Sequence, residues 1–211
     1  MPRSSSGSPP EKADLANVRF TEVTRQTRAD FEGLFEAQCG PKYCWCMAWR
    51  PLLGRREHVQ HAELKRAMMA LVEAGTPVGI LAQIDGKTVG WCSVAPRQTY
   101  RKLTSQQDDD ETGIWSIVCF YVPRALRGGG LAAALLDAAI DHAFAKGAGV
   151  IEAYPVDEAS PSYRFMGFRD MFIARGFHEV GMAGSRRHVN AARALTRSAA
   201  ASLLLHKGSG R

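Results

Sequence analysis

Nowhere in the 211 residues do roughly 20 consecutive apolar side chains occur, so a membrane-spanning helix is not expected. The first residues also lack a signal-type hydrophobic segment, and the expected location is cytoplasmic. An excess of charge over the body of the chain is missing too. The formal net charge is +6, but six basic residues (Arg186, Arg187, Arg193, Arg197, Lys207 and Arg211) follow Gly184 with no acid among them. The other 21 basic residues balance 21 acidic ones, so nucleic acid is not the expected partner of the body, although a basic tail could touch RNA. Five cysteines, an odd number, exclude a fully paired disulfide framework and read as reduced, mostly buried thiols. Cys39, Cys44 and Cys46 with His58 and His61 have the chemistry of zinc ligands, but Cys-x-Cys is not the usual knuckle spacing and no metal is assigned. Two nucleotide loops are absent as well. No Gly-Lys-Ser/Thr follows a glycine run, and no G-x-G-x-x-G stands with an acid at the ribose position.

What is present is Arg127-Gly128-Gly129-Gly130-Leu131-Ala132, between an apolar run, 114–122, and an alanine-rich helical stretch, 131–146. A strand delivering the chain into such a turn lets main-chain N–H groups approach a ligand without interference from Cβ atoms. The helix that follows begins with unpaired N–H donors, and its dipole favours an anion there by roughly 0.3–2 kcal/mol. A pyrophosphate could be held almost wholly by backbone.

Arg127-x-x-Gly130-x-Ala132 resembles the Q/R-x-x-G-x-G/A signature of the GCN5-related N-acetyltransferases (GNAT). Met171-Phe172-Ile173-Ala174-Arg175-Gly176-Phe177 resembles the short helix and "GF" turn of the same superfamily. Tyr43-Cys44-Trp45-Cys46-Met47, the segment 90–97 and the segment 115–120 resemble elements of a bacterial subgroup within it. The resemblance implies an α/β (α+β) fold, with a mixed, mostly antiparallel sheet, helices on both faces, and a parallel strand pair splayed at the cofactor. It also implies acetyl-CoA as cofactor, with CoA as product. Its pyrophosphate would lie on Arg127, Gly128, Gly129, Gly130, Leu131, Ala132 and Ala133, and its pantetheine along Phe120, Tyr121 and Val122.

Around this centre the chain reads simply. Residues 1–16 form a polar tail and 17–183 a single acetyltransferase domain; 184–211 form a basic extension, helical from Ala191 to Leu205. Strands are expected at 18–23, 78–84, 87–94, 114–122 and 150–155, with helices from Thr27 to Gly40 and over 57–74. Thr27 and Asp30 suggest a capping box, Asp85-Gly86 a hairpin turn, and His61, Leu64, Met68 and Leu71 a buried stripe.

Acetyl transfer needs a neutral amine, a stabilised oxyanion and a protonated leaving thiolate. The central strand carries no carboxylate, so Glu152 on the next strand and Glu111 just before the central strand are the candidate bases, with Tyr154 on the same face as Glu152. Many relatives place a Tyr before the "GF" turn as general acid; Phe172 stands there in this chain. Three activities remain open. One is N-acetylation of a primary amine on a small molecule, with an aminoglycoside-type antibiotic suggested by the acidic run Asp108-Asp109-Asp110-Glu111, which would imply resistance. The others are acetylation of a protein or aminoacyl-tRNA and a non-catalytic CoA-binding module. A homodimer is left open.

Overall fold

The computed structural model describes residues 15–52, 59–104 and 113–194. Seven strands form one sheet: β1 (Arg19–Glu22), β2 (Ile80–Ile84), β3 (Lys87–Pro96), β4 (Ile114–Tyr121), β5 (Val150–Ala153), β6 (His178–Ala183) and β7 (Arg187–Arg193). Their order is β1-β2-β3-β4-β5-β7-β6, and every neighbouring pair is antiparallel except β4 and β5. That exception follows from chain order, because helix α3 (Leu131–Ala145) carries the chain from β4 across the sheet before β5 begins. The β2–β3 hairpin turns at Asp85 and Gly86, both left-handed (φ 49° and 75°), as a type I′ turn requires.

Helices cover both faces. Along β2 and β3, Leu81 and Trp91 point to one face, where α1 (Arg28–Glu36) buries Phe31, Leu34 and Phe35 and α2 (His61–Glu73) buries Met68, Met69 and Val72. Ile80, Ala82, Cys92 and Val94 point to the other, under Leu131, Leu135, Leu136, Ala139 and Ala143 of α3.

Three expectations change. Thr27 does not cap α1: its hydroxyl donates to the Glu22 carbonyl and accepts from the Thr24 N–H, each at 2.8 Å. The reciprocal box lies at α2 instead, between Gln60 and Glu63. His61 is exposed at the start of α2, and the buried stripe of that helix passes through Met68, Met69 and Val72. The domain does not close at residue 183. After a turn at Gly184 (φ 75°), β7 enters the sheet between β5 and β6 and buries Val189, Ala191 and Ala192. The helix expected from Ala191 is a strand as far as Arg193 because two neighbouring strands satisfy its backbone on both sides, outweighing alanine's helix propensity. Residues 195–205 of that segment, and 1–14 of the N-terminal tail, lie outside the described residues.

Candidate active site

β4 and β5 pair from Ile114↔Val150 to Ile117↔Ala153 and then part, so the outer end of β4 has a neighbour only in β3. A bulge sits at the fork: Ser93 faces Cys119 and Val94 faces Ile117, leaving Val118 as the extra residue. Simple alternation over 114–122 puts Phe120 on the face of Val118, with Cys119 and Tyr121 opposite. The bulge reverses this. Phe120 packs with Trp115 and Ile117 on the α3 face, whereas Cys119 and Tyr121 turn toward α1. Tyr121 Oη donates to the Cys39 carbonyl at 3.1 Å.

Beyond the fork, Arg127 Nε donates to the Val122 carbonyl at 3.0 Å, fixing the side chain against the end of the strand. Gly128 and Gly130 are left-handed (φ 79° and 88°), and a Cβ on Gly130 would lie 3.1 Å from Leu15 Cδ1. The first hydrogen bond of α3 runs from Ala134 N to the Gly130 carbonyl at 3.0 Å. The N–H groups of Leu131, Ala132 and Ala133 therefore have no acceptor within the helix. They face a cavity of about 510 Å³. Phe120, Val122, Arg127, Gly128, Gly130, Leu131, Ala132 and Ala133 line one side; Tyr121 and Gly129 are not in its wall. The opposite wall is Arg164, Phe165, Gly167, Phe168 and Met171. Free N–H donors, left-handed glycines and a fixed guanidinium suit a pyrophosphate.

Helix α4 (Arg169–Ile173) is tied to this loop. Arg175 donates to both oxygens of Asp137 at 2.5 and 2.9 Å and to the Ala133 carbonyl at 3.2 Å. Phe172 is fully buried, in an edge-to-face contact with Phe177 at 5.3 Å. Gly167 (φ 89°) is required beside it, since a Cβ there would lie 2.8 Å from Phe172 Cε2. The ring at this position is core.

The candidate catalytic groups sit on the α1 face of β5. Glu152 Oε1 accepts from Arg97 at 3.1 Å and Oε2 accepts from Tyr154 Oη at 2.8 Å; the Arg97 and Glu152 side chains are only 8% and 14% exposed. Tyr154 is fully buried at the fork, packed with Val118 and Met166. Burial, reinforced by the Glu152 charge and the hydrogen bond to it, holds this phenol well above its ordinary pKa, so it stays protonated. Glu111 lies outside the described residues.

A second cavity, about 330 Å³, opens on this same face between Lys102, Leu103 and Thr104 and the β6–β7 turn at Ala183, Gly184 and Arg187. Arg187 in its wall lies 4.6 Å from the ring of Trp49, and the guanidinium of Arg101 lies 4.9 Å from the same ring. Arg97 ends one of the segments that carry the resemblance and Trp49 follows another, but nothing in the sequence marks either of them, or Arg187, as a site residue. Arg97 is brought to Glu152 only by sheet pairing, and Arg187 was counted with the tail. Among the described residues, no group of three or more His, Cys, Asp or Glu could hold a metal ion, and no helix is long and apolar enough to cross a membrane.

A sheet forked at a parallel pair, with a glycine-rich anion loop on one side of the fork and an enclosed carboxylate on the other, defines a CoA-dependent acyltransferase. Residues 34–168 match the model of the acetyltransferase (GNAT) family, and the chain belongs to that family. It is an N-acetyltransferase, and its acetyl donor is acetyl-CoA. No curated relative matches the sequence. Among solved structures it is similar in fold to a GCN5-related N-acetyltransferase from Kribbella flavida (15% identity, 85% of this chain and 99% of that one, TM-score 0.53). It is similar also to the ribosomal-protein-S5-alanine acetyltransferase of Vibrio fischeri (12% identity, 84% and 93% covered, TM-score 0.52). A third is the PaiA N-acetyltransferase of Thermoplasma acidophilum in complex with coenzyme A (11%, 84% and 99%, TM-score 0.50).

Proposed function

We propose that the protein transfers an acetyl group to the primary amine of a small molecule, with the cofactor's pyrophosphate on Arg127 to Ala133 and its pantetheine along Phe120 to Val122. The observation that carries this reading is the 510 Å³ cavity running from the free N–H groups at the start of α3 to the open end of β4. Bound acetyl-CoA supplies the activated thioester. The backbone of Val122, at the end of β4 beyond the fork, offers an oxyanion donor.

Glu152 is the proposed base. It is the one proposed carboxylate among the described residues, and Tyr154, held on it at 2.8 Å, links it to the fork. Tyr154 relays the proton between the acceptor amine and Glu152, while Arg97 holds the carboxylate in place. With Phe172 buried in place of the usual Tyr, protonation of the thiolate falls to Tyr154 or water.

Thiol release from acetyl-CoA over a panel of amines tests this reading. Turnover that vanishes in Gly130→Asp supports it, and CoA binding without turnover of any amine would favour a non-catalytic CoA module. The reading in which a basic tail recruits RNA or protein is weakened where it can be checked, because Arg187 and Arg193 belong to a sheet strand. The antibiotic acceptor rested on Asp108 to Glu111, which lie outside the described residues.

A further inference from the structure

The 330 Å³ cavity has no acidic side chain in its described lining. Arg187 lines it, stacked on Trp49 at 4.6 Å and on Tyr163 at 5.3 Å. Its Nη1 is buried and has no hydrogen-bond partner, and the same is true of the Trp49 indole N–H. No acidic side chain among the described residues lies within ion-pair distance of Arg187 or of Arg101, whose guanidinium is 4.9 Å from the Trp49 ring. Lys102 stands at the rim. Both orphaned groups are pure donors, and a buried donor without an acceptor is a cost that proteins seldom carry without purpose.

Backbone strain points to the same place. Tyr163 is left-handed (φ 59°), a conformation that a bulky side chain rarely adopts, and its ring lies 6.2 Å from Trp49 and packs on Arg187. The 3-10 turn that follows, Arg164–Met166, turns Arg164 and Phe165 toward the cofactor cavity. A single short segment thus separates the two cavities, placing this one beside the donor site.

We propose that this cavity binds an oxyanion of the acceptor, so that the substrate is a primary amine bearing a carboxylate or a phosphate, gripped by Arg187. The proposal rests on the acetyltransferase reading above and narrows its substrate. A guanidinium packed against two aromatic rings keeps N–H donors for a planar or tetrahedral oxyanion, whereas a polycationic amine would meet a like charge.

Two matched pairs test it: β-alanine against β-alaninamide, and O-phosphoethanolamine against ethanolamine, with a polycationic aminoglycoside as a fifth compound. Each is titrated into CoA-saturated protein by calorimetry with Trp fluorescence, then assayed for thiol release from acetyl-CoA. The anionic member of at least one pair should bind about 10- to 100-fold more tightly than its neutral partner, with a matching preference in kcat/KM. Which pair responds tells carboxylate from phosphate. Arg187→Gln should abolish the preference, Arg187→Lys should restore part of it, and the affinity for CoA should be unchanged in both. Equal binding within both pairs, preference for the aminoglycoside, or a preference that survives Arg187→Gln would overturn the proposal. Anion binding without thiol release from any amine would leave the subsite standing and remove the acetyltransferase reading instead, so the two failures are distinct.

Discussion

Replacing Glu152 by Gln separates the structural and chemical parts of the account. In the folded protein the carboxylate receives Arg97 on one oxygen and Tyr154 on the other, with both ion-pair partners nearly buried. Breaking such a pair by removing one charge costs about 3–5 kcal/mol. Gln keeps an acceptor for Tyr154 and the side-chain volume, so the low end applies, about 3 kcal/mol. For a chain of this length each kcal/mol shifts Tm by roughly 2–4 °C, so scanning calorimetry should show a fall of about 6–12 °C. Arg97→Met combined with Glu152→Met should recover most of this, because an apolar pair has no charge to desolvate. Below the transition, where Glu152→Gln is still folded, kcat should fall by about 100- to 10,000-fold if the carboxylate takes the amine proton. A Tm within a degree or so of the parent would refute the buried-pair reasoning. A normal Tm shift with normal kcat would remove Glu152 from the chemistry and leave it as a strut.

Two further outcomes follow from burial. His142 is half-buried against Trp115, and burial lowers its pKa below the ordinary value, with Glu22 opposing and Lys146 adding. Its neutral form is therefore the one that fits the fold: stability is full above the unfolded-state pKa near 6.5 and declines as pH falls toward the depressed folded value. Urea titrations between pH 8 and 5 should show that decline, and His142→Gln should flatten it; an unchanged slope would contradict the assignment. Of the five thiols, Cys39 is exposed, Cys92 is fully buried, and burial pushes Cys44 up to about 11, so a disulfide reagent at neutral pH should modify Cys39 first. Rapid modification of Cys92 in the native protein would show that the sheet core is open.

The order of elements as far as β5 was legible because its signals are local. The glycine run before an alanine-rich helix, the Asp85-Gly86 turn and the two-sided apolar strand each depend on a few adjacent residues, and each is present. The site was half legible for the same reason. The proposed anion loop lies on contiguous residues, so Arg127 to Ala133 stand out as a pattern, whereas the proposed acceptor side is assembled from Trp49, Arg97, Tyr163 and Arg187, far apart in sequence and joined only by sheet pairing and loop packing. The bulge at Val118 was illegible because a one-residue slip leaves no mark on an uninterrupted apolar run, yet it decides that Phe120 rather than Tyr121 lines the 510 Å³ cavity. Strand β7 was missed because alanine favours helix locally, and its partners come from elsewhere in the chain.

The central claim is that the turn at Gly130 and the start of α3 hold the pyrophosphate of acetyl-CoA. Calorimetric titration of acetyl-CoA into the parent protein and Gly130→Asp tests it most directly, with a thermal melt of the variant to show that it is folded. The account predicts one site per chain in the parent, and a loss of about 100-fold or more in the variant, where a carboxylate would face the N–H groups meant for phosphate. Equal binding by a folded Gly130→Asp, or no binding by the parent, would contradict it.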